Sequence, residues 1–181
     1  MIGASGRSGR ADTSDPAEHM KQIKIHSLNM DAMTNSPVVL LKELEGDDER
    51  IMPIWIGHAE AMAILLELQD VQPPRPLTHD LLKRTLDMLE VEIDRVEITR
   101  LEASTFFAII HLAGEGRSLE IDARPSDSMA LAVRAGAPIF VAEDVWESAA
   151  IQPQEAVDEE EEVERFREFL ENIDPADFQE Q

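Results

Sequence analysis

The sequence contains no cysteine, which excludes disulfide bonds, thiolate metal ligands and a cysteine nucleophile. Aromatic residues make up only 4% of the chain, so a core must consist mainly of aliphatic side chains. No apolar run approaches the roughly 18 residues that cross a membrane, and the N-terminus lacks the apolar centre of a signal peptide. We therefore expect a protein of the reducing cytoplasm that has no membrane segment.

Several motifs of known chemistry are also missing. The sequence has no G-x-G-x-x-G after a strand pattern and no P-loop, so it does not indicate nucleotide binding through a glycine-rich loop. It has neither a G-x-S-x-G elbow nor an H-E-x-x-H pair, which argues against a serine hydrolase and a zinc protease. Basic residues do not cluster with aromatic ones, as they do where single-stranded nucleic acid stacks.

Basic residues are scarce: the sequence has 16 Lys and Arg residues but 38 Asp and Glu residues, which gives a net charge of −22. Residues 151–181 hold 12 acidic and two basic residues, and residues 21–150 hold 23 acidic and 12 basic ones. The central part is thus acidic by itself, and its long-range field repels a polyanion. A nucleic-acid function requires a local feature that overcomes this repulsion.

The chain divides into three parts. Residues 1–20 are rich in Gly, Ser, Arg and Asp without apolar periodicity, and the closing His19-Met20 is typical of an expression tag, with a short disordered arm as the alternative. Residues 21–150 carry the strand and helix patterns of one domain. Residues 151–181 form an acidic tail.

This tail has an amphipathic pattern. An acidic run at residues 158–162 is followed by one narrow apolar stripe at the spacing of an α-helix. Disordered tails usually lack such a stripe, so we expect this helix to dock on its own domain, on a second subunit or on another protein. The stripe consists of Val163, Phe166, Leu170 and Ile173.

The central part predicts an α+β domain with a mixed, mostly antiparallel sheet packed by about three helices, because runs of strands alternate with runs of helices. Pro53 indicates an edge strand or a bulge, and residues 91–98 indicate a strand with a phase slip. The second helix places Leu81, Leu82, Leu86 and Leu89 on one face. The predicted elements are three strands over 23–56, helices at 58–68 and 78–89, three strands over 91–123, a helix at 126–135 ended by Gly136, and a strand at 138–141.

Two similar segments stand at predicted helix starts, Arg75-Pro-Leu-Thr-His-Asp and Arg124-Pro-Ser-Asp. A structural interpretation accounts for each of them as a helix cap, because a hydroxyl residue caps a helix and an acidic residue complements its dipole. On this interpretation the N-caps are Thr78 and Ser126, and the dipole partners are Asp80 and Asp127.

A functional interpretation stays open beside it, because capping does not require an arginine. Arg75 and Arg124, each beside the N–H groups of a helix start, form sites suited to phosphate or carboxylate. Neighbouring acidic groups can hold Mg²⁺ or Mn²⁺, which offsets the charge repulsion. His79 is either a general base or metal ligand, or an exposed first-turn histidine.

The chain resembles the bifunctional nuclease domain family in several motifs that follow one another in the family's order, over about Ile23 to Trp146. The resemblance implies a compact α+β fold, an oligomer, and nuclease activity on both RNA and DNA. The polar residues that match the family's pattern are Glu60, Arg75, Thr78, His79, Asp80, Asp122, Arg124, Ser126 and Asp127. The matching motifs are Met52-Pro-Ile-Trp-Ile-Gly, Glu60-Ala, Arg75-Pro-Leu-Thr-His-Asp-Leu, Thr105-Phe-Phe-Ala and Ile121-Asp-Ala-Arg-Pro-Ser-Asp-Ser-Met-Ala-Leu-Ala.

Three hypotheses follow. The first is a metal-assisted nuclease in which catalytic residues activate water, arginines and hydroxyls bind the phosphate, and carboxylates hold the divalent cation. The second is a non-enzymatic module that binds an anion or a protein, and the third is a homo-oligomer whose Arg–Asp motifs are buried at an interface. In the first hypothesis the catalytic residues are His79, Asp80, Asp127 and Glu60, the substrate-binding residues are Arg75, Arg124, Thr78 and Ser126, and the metal ligands are Asp80, Asp122 and Asp127.

Overall fold

The computed structural model describes residues 19–114 and 116–153, which fold into seven strands and four helices. The strands are β1 (Met20–Met30), β2 (Pro37–Glu43), β3 (Ile51–Trp55), β4 (Glu92–Glu102), β5 (Thr105–Gly114), β6 (Arg117–Ala123) and β7 (Ile139–Ala142). The helices are α1 (His58–Leu68), α2 (Thr78–Met88), α3 (Pro125–Ala135) and α4 (Glu143–Ala149). The predictions for residues 1–18 and for the amphipathic stripe of the tail lie outside the described residues.

All seven strands form one sheet in the order β3-β2-β1-β7-β4-β5-β6. Every neighbouring pair is antiparallel except β4 and β7, which run parallel, so the mixed, mostly antiparallel α+β sheet is confirmed. Pro53 lies in β3 at one edge, as predicted, where its missing N–H costs no ladder hydrogen bond. The phase slip in β4 is a register shift between Ile93 and Arg95, followed by a second one after Ile98.

The core lies between one face of the sheet and the helices. Val96 of β4 pairs with Ile110 of β5 on one side and with Ile139 of β7 on the other, and all three are buried, which places them on this face. Helix α3 packs on β4 and β5, and α1 packs on β2 and α3. Helix α4 closes the core with Trp146, which is fully buried. No helix among residues 19–114 and 116–153 is long and apolar enough to cross a membrane.

Helix α2 differs from its neighbours because none of its residues is buried. It reaches the domain mainly through α3, and of the predicted leucine face only Leu86 packs against the core. Leu81, Leu82 and Leu89 are exposed. The helical periodicity was therefore correctly identified, but most of its apolar face points away from the domain.

Candidate functional site

The residue before α3, Arg124, joins the first turns of two helices. Its Nε donates to Oδ2 of Asp127 at 2.7 Å, and its Nη2 donates to Oε1 of Glu60 at 2.7 Å and to Oδ1 of Asp127 at 3.0 Å. Pro125 holds the first helical position of α3 and keeps Arg124 extended, with φ −71° and ψ 145°. The guanidinium is thereby held across the N-termini of α1 and α3.

His79 brings the first turn of α2 to the same place. Its Nε2 lies 3.0 Å from Oδ1 of Asp127, so this carboxylate binds the imidazole and the guanidinium together. The side chain of His79 is only 12% exposed and that of Glu60 only 15%, whereas the side chain of Arg124 is 66% exposed. The site thus presents one accessible cation above recessed partners.

The carboxyl of Asp127 is ionised at neutral pH. Burial raises its pKa, but the hydrogen bonds from Arg124 and His79 and the positive charge of Arg124 outweigh burial and hold the pKa below its ordinary value. The hydrogen bonds to Asp127 and Glu60 in turn raise the pKa of Arg124. The cluster therefore contains a permanent cation between two carboxylates, with an imidazole on one of them.

Gly57, the residue before α1, makes room for Glu60. A Cβ atom built on Gly57 would collide with Oε2 of Glu60, so any side chain here would displace the carboxylate. The backbone of Gly57 has an ordinary extended conformation, with φ −75° and ψ 156°. The glycine is therefore needed for space and not for its conformational freedom.

Asp80 lies next to His79 in sequence but takes part in a different contact. Its Oδ1 accepts from Nε of Arg134 at 2.6 Å, and its Oδ2 accepts from the N–H of Leu77 at 2.7 Å. Burial raises the pKa of Asp80, but Arg134 and the Leu77 N–H together hold it below its ordinary value. Arg134 also donates to the carbonyl of Ala63 at 2.9 Å, so it ties α3 to both α1 and α2.

Asp122 lies on the other face of the sheet from α3. It pairs with Ile109 of β5, whereas its neighbour Ile121 pairs with the buried Ile110. Since side chains alternate along a strand, Asp122 points away from the face that carries Asp127.

The predicted metal ligands Asp80, Asp122 and Asp127 therefore do not form one ligand set. Among residues 19–114 and 116–153 no three His, Asp or Glu side chains are placed to hold a metal ion. The oxygens of Asp80 and Asp127 are also engaged by arginines, a histidine and a backbone N–H. This donor arrangement does not fit a divalent cation, and the need for Mg²⁺ or Mn²⁺ stays a prediction.

The two predicted N-caps are wrong. Leu77 is the N-cap of α2, and its N–H is bound by Asp80, so Thr78 is the first helical residue and is exposed. Arg124 is the N-cap of α3 because Pro125 starts the helix, which moves Ser126 into the first turn, where it is buried. Neither hydroxyl therefore caps a helix, and their role in substrate binding stays a prediction.

Arg75 lies apart from the Arg124 cluster. It lines a cavity of about 420 Å³ between the end of α1, the proline-rich loop over residues 71–76 and one side of α2. Asp80 and Arg134 line the same cavity, so the first helix-start motif is divided: Arg75 and Asp80 line this cavity, whereas His79 joins the neighbouring Arg124 cluster. Sequence reasoning missed Arg134, whose position in the last turn of α3 is equally typical of a residue that complements the helix dipole.

Comparison with known proteins identifies the family. Residues 39–154 match the model of the bifunctional nuclease domain. An uncharacterized protein of Mycobacterium tuberculosis strain H37Rv is 42% identical over 166 residues, which cover 88% of this chain and 98% of that protein.

Two plant proteins are more distant. Bifunctional nuclease 1 of Arabidopsis thaliana is 29% identical over 108 residues, or 58% of this chain and 33% of the plant protein. Bifunctional nuclease 2 of Oryza sativa subsp. japonica is 26% identical over 116 residues, or 62% of this chain and 35% of the plant protein. The chain thus corresponds to about a third of each plant relative. With most of its described domain matched by the family model, this chain belongs to the bifunctional nuclease domain family.

Proposed function

We propose that this protein is a nuclease that hydrolyses phosphodiester bonds in RNA and DNA at the cluster of Arg124, Asp127, His79 and Glu60. One observation carries the proposal: an exposed guanidinium, held by two carboxylates, stands beside a histidine whose Nε2 is bound by one of them. The names of the plant relatives agree with this chemistry.

Arg124 is the phosphate-binding residue in this proposal. A guanidinium binds two phosphate oxygens at once and keeps its charge at any physiological pH. Asp127 and Glu60 fix its orientation before a substrate arrives, and preorganised charge is the main means by which enzymes stabilise an anionic transition state. Its high exposure makes the same group accessible to a phosphodiester.

His79 is the general base. If Nε2 carries the proton and donates it to Asp127, then Nδ1 has the lone pair that can accept a proton from water or from a ribose 2′-hydroxyl. The ionised Asp127 holds this tautomer and stabilises the imidazolium that forms, as carboxylates do in other His–Asp pairs. Glu60 positions Arg124 and is the second group that could activate water.

The acidic surface limits how the substrate is bound. Because residues 21–150 carry 23 acidic and 12 basic residues, long-range attraction does not assist binding. Binding must come from short-range contacts with one or two phosphates, so we expect a shallow dependence of affinity on salt. A divalent cation carried by the nucleic acid is one way to reduce the repulsion.

A second candidate function is binding of an anion or an acidic protein group without turnover. It is favoured by the high exposure of the Arg124 side chain, whereas the pairing of Arg124 with two carboxylates is a pattern that also occurs where an ion pair is purely structural. A homo-oligomer and a cytoplasmic location stay predictions. The binding module predicts saturable binding of a short oligonucleotide without cleavage, and the structural alternative predicts that Arg124→Ala lowers the melting temperature.

The experiment that tests the proposal is cleavage of labelled single-stranded RNA and DNA, with Mg²⁺, Mn²⁺ or EDTA, by identically purified wild type and Arg124→Ala. The matched control is Arg117→Ala, which removes an exposed arginine of β6 outside the cluster. Removing one preorganised charge costs about 100-fold in rate or more. We expect that loss in Arg124→Ala and near wild-type cleavage in Arg117→Ala. Equal cleavage by all three proteins would contradict the proposal.

A further inference from the structure

Helix α2 presents an apolar face that no described part of the chain covers. Five large side chains on or beside this helix are 38–86% exposed, which is unusual for neighbouring residues on one helix of a globular domain. Positions 77, 81 and 88 lie above one another on the outer side, and positions 82 and 89 lie beside them. The residues are Leu77, Leu81, Leu82, Met88 and Leu89.

The flank of the same helix lines a cavity in which basic residues outnumber acidic ones. The cavity of about 420 Å³ is lined by four basic and three acidic side chains, in a domain that is otherwise strongly acidic. Arg134 and Lys83 are paired with Asp80 and Asp87. Within the part of the chain that the structure describes, no salt bridge joins Arg75 or Arg84 to a carboxylate, and the charge of Arg84 acts on Asp80 only from a greater distance.

The sequence of the tail complements both features. The acidic run at residues 158–162 is opposite in charge to Arg75 and Arg84. The apolar stripe that follows it is suited to pack on the leucine face. If residues 163–173 are helical, their 11 residues span about 16 Å, the length of the 11-residue helix α2. The tail thus offers an acidic run to the basic cavity and an apolar stripe of about the length of α2 to the leucine face.

The tail is long enough to reach this surface from its own domain. Ile151 bridges to Ile51 of β3, so the described chain ends at the edge of the sheet opposite β6. The ten steps from Pro153 to Val163 reach about 33 Å when extended, and six strand spacings across the whole sheet amount to about 29 Å. The extended segment is therefore longer than the sheet is wide.

We propose that the acidic tail docks on α2 of its own chain. The stripe of Val163, Phe166, Leu170 and Ile173 covers the exposed leucine face, and the acidic run binds Arg75 and Arg84 at the cavity. The docking does not depend on the proposed nuclease function.

Cross-linking in the full chain tests the docking directly. Because the sequence has no cysteine, an engineered pair is free of background reactions. Under mild oxidation we expect Leu81→Cys/Leu170→Cys to form an intramolecular disulfide at least about tenfold faster than Leu81→Cys/Glu168→Cys. Residue 168 lies opposite the stripe on a helical projection, so a docked stripe keeps it away from α2. An undocked tail would bring positions 168 and 170 to α2 equally often. Equal rates would overturn the proposal, as would cross-linking that joins two chains, which would assign the leucine face to a second copy.

Amide hydrogen exchange gives a second readout that does not depend on nuclease activity. In the full chain, Phe166→Asp/Leu170→Asp removes the apolar stripe, and Phe178→Asp is the control outside it. We expect α2 amides to exchange at least about tenfold faster in the double variant than in wild type, with the control unchanged, because docking protects the helix against local opening. Identical exchange in all three proteins would refute docking, whatever the cleavage assay shows.

Discussion

The pair formed by Arg134 and Asp80 is the contact whose loss should destabilise the domain most clearly. Arg134 has a side chain that is only 5% exposed, and it binds Asp80 and the carbonyls of Ala63 and Ala130. Arg134→Met keeps the apolar stem but removes all three hydrogen bonds. Breaking a buried pair costs about 3–5 kcal/mol, and we expect about 3 kcal/mol because Asp80 is 18% exposed and keeps the Leu77 N–H.

The loss should depend on pH in a defined direction. Burial raises the pKa of Asp80, but the contacts with Arg134 and the Leu77 N–H lower it by more than burial raises it. Its pKa in the folded protein is therefore below the ordinary value of 3.8. A lowered pKa stabilises the fold above the unfolded pKa, and this stabilisation is lost as pH falls through the folded pKa. The difference in unfolding free energy between wild type and Arg134→Met is therefore largest near neutral pH and shrinks below about pH 4.

Thermal unfolding followed by circular dichroism measures this difference. A loss of about 3 kcal/mol corresponds to a drop in melting temperature of about 10 °C for a domain of this size. The control Arg117→Met, at an exposed position of β6, should change the melting temperature by only about 1–2 °C. Arg134→Met leaves the charge of Asp80 without its partner. The double variant Arg134→Met/Asp80→Asn removes that charge as well, so it should recover part of the loss in melting temperature. If Arg134→Met melts no lower than Arg117→Met, the reasoning about this buried pair is wrong.

Three further predictions concern other positions. Gly57→Ala displaces the carboxylate of Glu60, so cleavage in the RNA and DNA assay should fall about tenfold or more while the melting temperature changes little. Trp146→Phe leaves Oδ2 of Asp48 without the indole N–H and opens space in the core, so urea unfolding should show a loss of about 2–3 kcal/mol. Gly136→Ala puts a Cβ at φ +63°, which should cost about 1 kcal/mol in urea unfolding and leave cleavage unchanged.

Each of these has a contradicting result. Undiminished cleavage by Gly57→Ala would remove Glu60 from the active cluster. An unchanged urea midpoint for Trp146→Phe would show that α4 does not close the core as the burial of this tryptophan indicates. A stability of Gly136→Ala equal to wild type would contradict the left-handed C-cap at the end of α3.

Local sequence patterns were enough to predict most of the strands and helices. Alternating residues identified the strands, Pro53 indicated an edge or a bulge where β3 lies at an edge, and Gly136 ended α3 as a left-handed C-cap. Helix α4 was missed because its seven residues contain only two large apolar side chains, Val145 and Trp146, too few for a helical period. Short helices are formed by tertiary packing, which the local sequence does not encode.

The site was predictable only in part, for a similar reason. The Arg124–Asp127 contact spans three residues of one helix start, so spacing within the chain could indicate it. The contact of Arg124 with Glu60 spans 64 residues and that of Arg134 with Asp80 spans 54, and no spacing rule reaches that far. These long-range pairs depend on how α1, α2 and α3 cross.

The orientation of α2 shows the limit of amphipathic patterns. The leucines at positions 81, 82 and 89 form a real apolar face, but the pattern does not say whether the partner is the domain's own core or another segment. Asp122 illustrates the same point for sheets, because a one-residue change of position along β6 moves a side chain to the other face. Both assignments require the three-dimensional register.

A mutant cycle on single-turnover cleavage of labelled RNA tests the central claim most directly, with wild type, Arg124→Ala, His79→Asn and the double variant purified identically. Residues that act as one site are strongly non-additive. We predict that each single variant loses about 100-fold in rate, and that the double variant is not much slower than the slower single variant. Cleavage at the wild-type rate by the folded double variant would contradict the account and place any nuclease activity away from Arg124 and His79.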